Sequence, residues 1–215
     1  VRFTDPRSAG LALASKLEAY GGREETIVLA LARGGVAVGL EVSKRLRLPL
    51  DLILLRRLLV SRGSDSPVCA SSLGGALFVD EELDEELAAC SEPALGYFVA
   101  AALAELDARV RACRGDRPTI ELKGTTIVVV DNGVRTGSTM RAAVRALRSR
   151  EPARIVAAVP VADAEARTGI EAEVEEFVCL ASPEPFGHVG LWYADFRRPD
   201  DDEIRSMLEE SERGR

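Results

Sequence analysis

Five stretches of the chain carry Val, Ile, Leu and Ala in succession rather than in alternation: Thr26 to Leu31, Leu50 to Leu55, Thr125 to Val130, Arg154 to Val161 and Glu176 to Ala181. A strand with one wet face alternates polar and apolar residues, so unbroken runs of this kind predict strands covered on both faces, as in a parallel sheet. Helical periodicity fills the intervals. Apolar residues recur at Leu11, Leu13, Ala14 and Leu17 within Ser8 to Tyr20, and Val36 to Leu46, Ser138 to Arg148 and Asp163 to Ala172 each follow a run after a short loop. Repetition of strand, loop, helix and strand predicts a three-layer, doubly wound α/β fold with a mainly parallel sheet. At 215 residues the chain is expected to form one domain spanning 1–215, given that domains run to roughly 100–200 residues.

One section interrupts the alternation. Residues 81–114 read as an inserted helical section, broken near Pro93, whose stripe of Leu95, Val99, Leu103 and Leu106 would serve as a hood over a site or as a subunit contact. Ahead of it, Ser61 to Gly75 is rich in Ser and Gly without periodicity and reads as a loop, long enough to be functional. A terminal helix is expected from Asp200.

Charge and cysteine usage narrow the function classes. The net charge of −7 argues against nucleic acid as a partner. Six basic residues against two acidic ones between Glu41 and Gly63 still leave room for a small anionic ligand. No run approaches the 18 or more apolar residues of a membrane span, and a cytoplasmic location is the default expectation. Cys69, Cys90, Cys113 and Cys179 form no CxxC pair, so neither a zinc site nor a disulfide scaffold is expected.

The chemistry concentrates in Thr126 to Met140, TIVVVDNGVRTGSTM: a buried strand, an acidic residue at its carboxyl end, a turn of small residues, then a helix. Open α/β sheets bind ligands at such strand ends. The first amides of that helix lack intrahelical partners and the helix dipole favours an anion there, which makes the turn a phosphate cradle. It is neither a Walker A loop nor a dinucleotide fingerprint, since GK[ST] and GxGxxG are both absent.

IVVV followed by Asp131, Asn132 and GVRTGST resembles the signature of the type I phosphoribosyltransferases, four apolar residues, an acidic pair and a Thr-Gly loop. ALARGGVAVGLEVSKRL is similar to the family's pyrophosphate loop, LDLILLRRL to a strand end in a bacterial subgroup, and SPEPFGHVGLWYADF to that subgroup's PEPF…VG.WY.DF block. The resemblance implies binding of phosphoribosyl pyrophosphate (PRPP) with Mg²⁺ and transfer of its phosphoribosyl group to a nitrogenous base. It implies Asp131, Asn132 and Arg57 as catalytic residues, and Arg135, Thr136, Gly137, Ser138 and Thr139 as the 5-phosphate loop. Arg33, Gly34, Gly35 and Arg56 would take the pyrophosphate, Phe186 and Trp192 the base, and Asp195 a Mg²⁺ through water. Ser61, Arg62 and Ser64 would close over PRPP with Gly63 as hinge, and a homodimer is the family's common form.

Two positions depart from the pattern. Asn132 stands where a second acidic residue belongs, and Arg135 where 6-oxopurine enzymes carry an aspartate base; a guanidinium takes no proton at neutral pH. A transferase, a non-catalytic sensor of PRPP or a nucleotide, and a hydrolase of phosphorylated ribosides all remain compatible with these residues. The single histidine, His188, is a candidate general base, although a lone loop histidine is more often incidental.

Overall fold

The computed structural model describes residues 2–58, 68–73, 76–79 and 93–213. Helix α1 (Pro6–Ala14) precedes β1 (Thr26–Leu31), α2 (Val36–Leu46), β2 (Leu50–Leu58), β3 (Val68–Leu73) and β4 (Ala76–Val79). There follow α3 (Pro93–Arg114), β5 (Thr126–Val130), α4 (Ser138–Arg148), β6 (Arg154–Val161), α5 (Ala164–Glu171), β7 (Glu176–Ala181) and α6 (Asp201–Arg213). All seven strands share one sheet in the order β4-β3-β2-β1-β5-β6-β7. Strands β2, β1, β5, β6 and β7 run parallel, while β3 and β4 add an antiparallel edge. The doubly wound α/β fold expected from the five apolar runs is the one found.

Period-two alternation of buried side chains explains why those runs had to be apolar throughout. Val28, Ala30, Leu52, Val128 and Val130 point into one layer with α1, α2, α3 and α6, whereas Ile27, Leu29, Ile127, Val129 and Ile155 point into the other with α4 and α5. Neither face of the central strands meets water, so no position tolerates a polar residue cheaply. Helix α4 follows the same logic at its own period, burying Met140, Ala143, Val144 and Leu147 and leaving Arg141, Arg145 and Arg148 outside that stripe.

Two expectations need correction. The stretch 61–75 is not loop throughout: β3 pairs antiparallel with β2 from Ile53 opposite Leu73 to Leu58 opposite Val68. Residues 61–67, with the expected closing residues Ser61, Arg62, Gly63 and Ser64, lie outside the described residues, as do 81–92. Pro93 opens the 22-residue α3, the position where its missing N–H costs nothing, so a helix begins where an interruption was expected. Finally, α3 buries Ala102, Leu106, Val110 and Cys113 in the core under the sheet, with Leu103 packed alongside. At Leu103 and Leu106 the stripe therefore joins the core; the side chains of Leu95 and Val99 are outside the described set.

The far end of α3 is tied to the sheet by charge. Arg114 donates to both carboxylate oxygens of Asp51 on β2, at 2.8 and 2.7 Å, with side chains only 4% and 2% exposed. The same guanidinium donates to the carbonyls of Arg117 and Pro118, and the Leu52 N–H donates to Asp51, so no part of the pair is left unsatisfied at this depth.

Candidate active site

Strands β1 and β5 are neighbours, with Ala30 opposite Val130, so the residues following each leave the sheet side by side. From there the chain continues to β2 on one flank and β6 on the other, the arrangement that opens a crevice at the carboxyl edge of a parallel sheet. A cleft of about 310 Å³ occupies that position. It brings together Arg33 and Gly34 from the first loop, Asp131, Asn132 and Arg135 to Thr139 from the second, and Val189, Phe196 and Arg198 from beyond β7.

Glycines let the two loops touch. A Cβ on Gly35 would lie 2.4 Å from the Val130 carbonyl oxygen and 2.9 Å from Asp131 Cα, both backbone atoms that cannot step aside. On Gly34 it would meet the Asn132 side-chain amide at 2.4 Å. Asn132 is 7% exposed and packs its amide on that glycine. The adjoining Arg33 places Nε 3.7 Å from Asp201 Oδ1 at the start of α6, an oxygen also approached by Arg109 at 3.3 Å.

In the second loop the turn and the helix start are built from backbone. Gly137 is the residue before α4 and holds φ at 78°, a left-handed conformation that glycine adopts without penalty. Its carbonyl accepts the first helical bond, from the Arg141 N–H at 2.9 Å. Thr136 and Ser138 hydroxyls stand 3.1 Å apart across the turn. The N-terminus of α4 thus opens into the cleft with amides and hydroxyls, a surface suited to a phosphate.

Asp131 is the one carboxylate among the described residues lining the cleft. Desolvation at the strand end pushes its pKa up to about 7, against the opposing pull of the Asn132 N–H and of the Arg198 charge. The Asn132 N–H donates to Asp131 Oδ1 at 2.7 Å. An acid tuned to neutrality in a cleft is a frequent mark of a functional group.

Other expected site residues stand elsewhere. Arg56 pairs with Glu105 of α3, at 2.9 Å, and does not line the cleft; the side chain of Arg57 is outside the described residues. Asp195 is exposed, accepts the Arg197 N–H at 3.2 Å and also does not line the cleft. Phe186, 5% exposed, lines instead an adjacent hollow of about 580 Å³ that shares Arg135 and Thr136 with the cleft and adds Arg141, Asp163, Glu165 and Gly187. Trp192 lines neither; its indole N–H donates to the Phe186 carbonyl at 3.1 Å and its ring leans on Phe186.

Val189, Phe196 and Arg198 were not anticipated as cleft residues. The signal that could have found Arg198 is its place two residues beyond the WYADF block, in the basic pair Arg197 and Arg198 that follows Phe196. Among the described residues no helix is long and apolar enough to cross a membrane.

With this geometry in hand, comparisons with known proteins are specific. The phosphoribosyl transferase domain profile matches residues 8–191. The crystal structure of TT1426 from Thermus thermophilus is 35% identical, with a TM-score of 0.80 over 98% of this chain and 99% of that one. A hypothetical protein from Neisseria gonorrhoeae, solved with bound ppGpp, is 14% identical with a TM-score of 0.52 over 98% of both chains, and shares the fold. The Mycobacterium tuberculosis protein named "Putative phosphoribosyl transferase Rv0571c" is 33% identical over 213 residues, 98% of this chain but 47% of its own length. The chain thus spans about half the length of that curated relative. A sheet whose two glycine-bearing strand ends meet beside a partly buried acid, matched by this profile from end to end of the sheet, has one assignment: the chain belongs to the phosphoribosyl transferase domain family.

Proposed function

We propose that the protein binds PRPP together with Mg²⁺ and transfers its 5-phosphoribosyl group to a nitrogenous acceptor, releasing pyrophosphate. The observation that carries this reading is the meeting of two anion-accepting loops, at the ends of β1 and β5, on either side of Asp131. A ligand with a phosphate at one end and a pyrophosphate at the other fits such a pair. The 5-phosphate lies on the amides and hydroxyls of Thr136 to Thr139, the pyrophosphate on Arg33 and Gly34 with Gly35 seating their loop against β5, and the ribose hydroxyls on Asp131 with the Asn132 amide beside them.

The acceptor nitrogen forms the new bond to C1 of the ribose while the C1–O bond breaks, its electron pair leaving on pyrophosphate and the acceptor's N–H proton passing to water. Positive charge develops on the ring in between, and Asp131, once ionised, faces it. A Mg²⁺ bound with PRPP would be held mainly by phosphate oxygens and waters. When bound it neutralises charge on the departing pyrophosphate. The acceptor occupies the hollow that adjoins the cleft, over Phe186, with Arg135 and Thr136 at the junction of the two spaces.

A second reading, a non-catalytic sensor of PRPP or a nucleotide, is favoured by Asn132, whose amide gives the cleft one carboxylate instead of two. A thermal shift with PRPP and Mg²⁺ tests both. At a hundredfold excess over Kd the expected stabilisation is about 2.7 kcal/mol, which is roughly 5–10 °C at this size. Absence of any shift in folded protein would end the first reading and leave the second only with a nucleotide as its ligand. Binding without pyrophosphate release across a panel of bases would leave the sensor.

A further inference from the structure

Tyr193 is among the most deeply buried large side chains, 2% exposed, although it carries a hydroxyl that must find a partner. The partner is the carbonyl of Asn132, and no backbone N–H among the described residues takes that oxygen. Asn132 in turn donates its own N–H to Asp131 Oδ1 at 2.7 Å. The ring of Tyr193 stacks on Phe196, a cleft residue, with centroids 5.1 Å apart, and meets Phe3 on its other side at 5.7 Å. Around it the backbone is laced to the first residues of the chain: Phe3 N–H to the Trp192 carbonyl at 2.8 Å, Ala194 N–H to the Phe3 carbonyl at 2.8 Å, and Asp195 N–H to the Thr4 carbonyl at 2.9 Å.

We propose that Tyr193 is a positioning residue, whose hydroxyl fixes the main chain at Asn132 and through it the carboxylate of Asp131, while its ring presents Phe196 to the cleft. The inference rests on the reading of Asp131 as the ribose-binding group. A core aromatic alone does not account for the hydroxyl: phenylalanine fills the same space between Phe3 and Phe196 and needs no acceptor. The bond lands instead on the one residue that joins the two ligand-facing features of the turn, the acid before it and the glycine after it. Burial holds the phenol pKa well above its ordinary value, with the Asp131 charge adding to the effect, so the hydroxyl stays a donor while Asp131 titrates.

Tyr193→Phe keeps the ring and removes the donor, and Phe3→Ala removes ring contact and keeps the donor. Amide hydrogen exchange by NMR on the ligand-free chain reads the positioning directly. In Tyr193→Phe, exchange at Asn132 is expected to rise about tenfold while Val128 and Val129 in β5 hold their protection, and PRPP affinity is expected to fall by about the same factor. In Phe3→Ala the melting temperature drops but Asn132 keeps its protection. Unchanged exchange at Asn132 in Tyr193→Phe overturns the proposal, and so does a rise spread evenly over the sheet, which would make Tyr193 an ordinary core residue. Failure of the wild type to bind PRPP would strike the proposed function instead, and the exchange measurement would still decide the role of the hydroxyl.

Discussion

The cleft and the hollow beside it share Arg135 and Thr136 but are made of different material. Backbone and small residues supply much of the cleft: Gly34, Gly133, the left-handed turn at Gly137 and the start of a helix, with Asp131 as the acid and Arg33, Arg135 and Arg198 also lining it. Longer charged side chains dominate the hollow: Arg135, Arg141, Asp163 and Glu165 around Phe186. Arg141 is held by Glu173, and Asp163 accepts the N–H groups of Glu165 and Ala166 as the cap of α5. Backbone sites recognise what every ligand of a class has in common, here phosphate; side-chain sites separate one member from another. On this view the donor half of the reaction is fixed by the fold and the acceptor half by a few exchangeable residues.

The strongest test of that division is Asp131→Ala. Loss of a charged hydrogen-bonding group from the centre of the cleft is expected to weaken PRPP by about a hundredfold or more in calorimetric titration, whatever acceptor is used. Retained affinity would break the comparison at its root. Next come the glycines. Gly35→Ala drives a methyl into the Val130 carbonyl, and overpacking costs about 1–3 kcal/mol, which is roughly 2–12 °C in melting temperature here. Gly34→Ala meets only the Asn132 side chain, so it should cost less stability but displace an amide that faces the ribose. Equal thermal losses in the two would mean that the loops do not lean on backbone as described.

A pH series sharpens the electrostatic side. The Asp131 carboxyl has a folded-state pKa of about 7 against 3.8 for an unperturbed group. Between those values the folded chain holds more protons at this site than the unfolded one, so its contribution to stability falls as pH rises from about 4 to about 7 and then levels. Asp131→Asn should remove this slope and melt a few degrees higher than the wild type above neutrality in the absence of ligand. A variant that melts lower at every pH would contradict the burial of that charge. The smallest effect is expected from Arg135→Gln: about threefold on PRPP binding but about tenfold on kcat/KM for the acceptor, in proportion to hydrogen bonds lost. The reverse ordering would move Arg135 wholly to the phosphate side.

The same division explains what was legible in the sequence. Strands β1, β6 and β7 coincide with their apolar runs to the residue; in β1 and β6 burial on both faces leaves no other pattern, while the edge strand β7 is only half-buried. The turn before α4 was legible because glycine and hydroxyl residues report backbone geometry directly. Strands β3 and β4 were not, because pairing with the free edge of β2, rather than any period of their own, selects them. A Gly-Gly pair between two short apolar stretches was the available hint. The segment after β7 was legible as a block but not in its placement. Phe186 turns into the hollow and Phe196 into the cleft, an outcome governed by bonding to Phe3 and Thr4 from the other end of the chain. Arg56 reads as a ligand in the sequence and as a partner of Glu105 in the structure, since α3 brings a carboxylate that no local pattern announces.

The Arg114–Asp51 pair carries a consequence for how this scaffold can diverge. Each charge is buried and each is satisfied by the other, so changing either one alone strands its partner and costs about 3–5 kcal/mol, whereas replacing both with apolar residues of matching size is close to neutral. The two positions are therefore locked as a couple, and no path of single substitutions leads away from them without passing through a poorly folded protein. The chain between β4 and β5 can be redrawn around α3, but the end of that helix stays anchored under β2, and any relative that has lost one member of the pair is expected to have lost both.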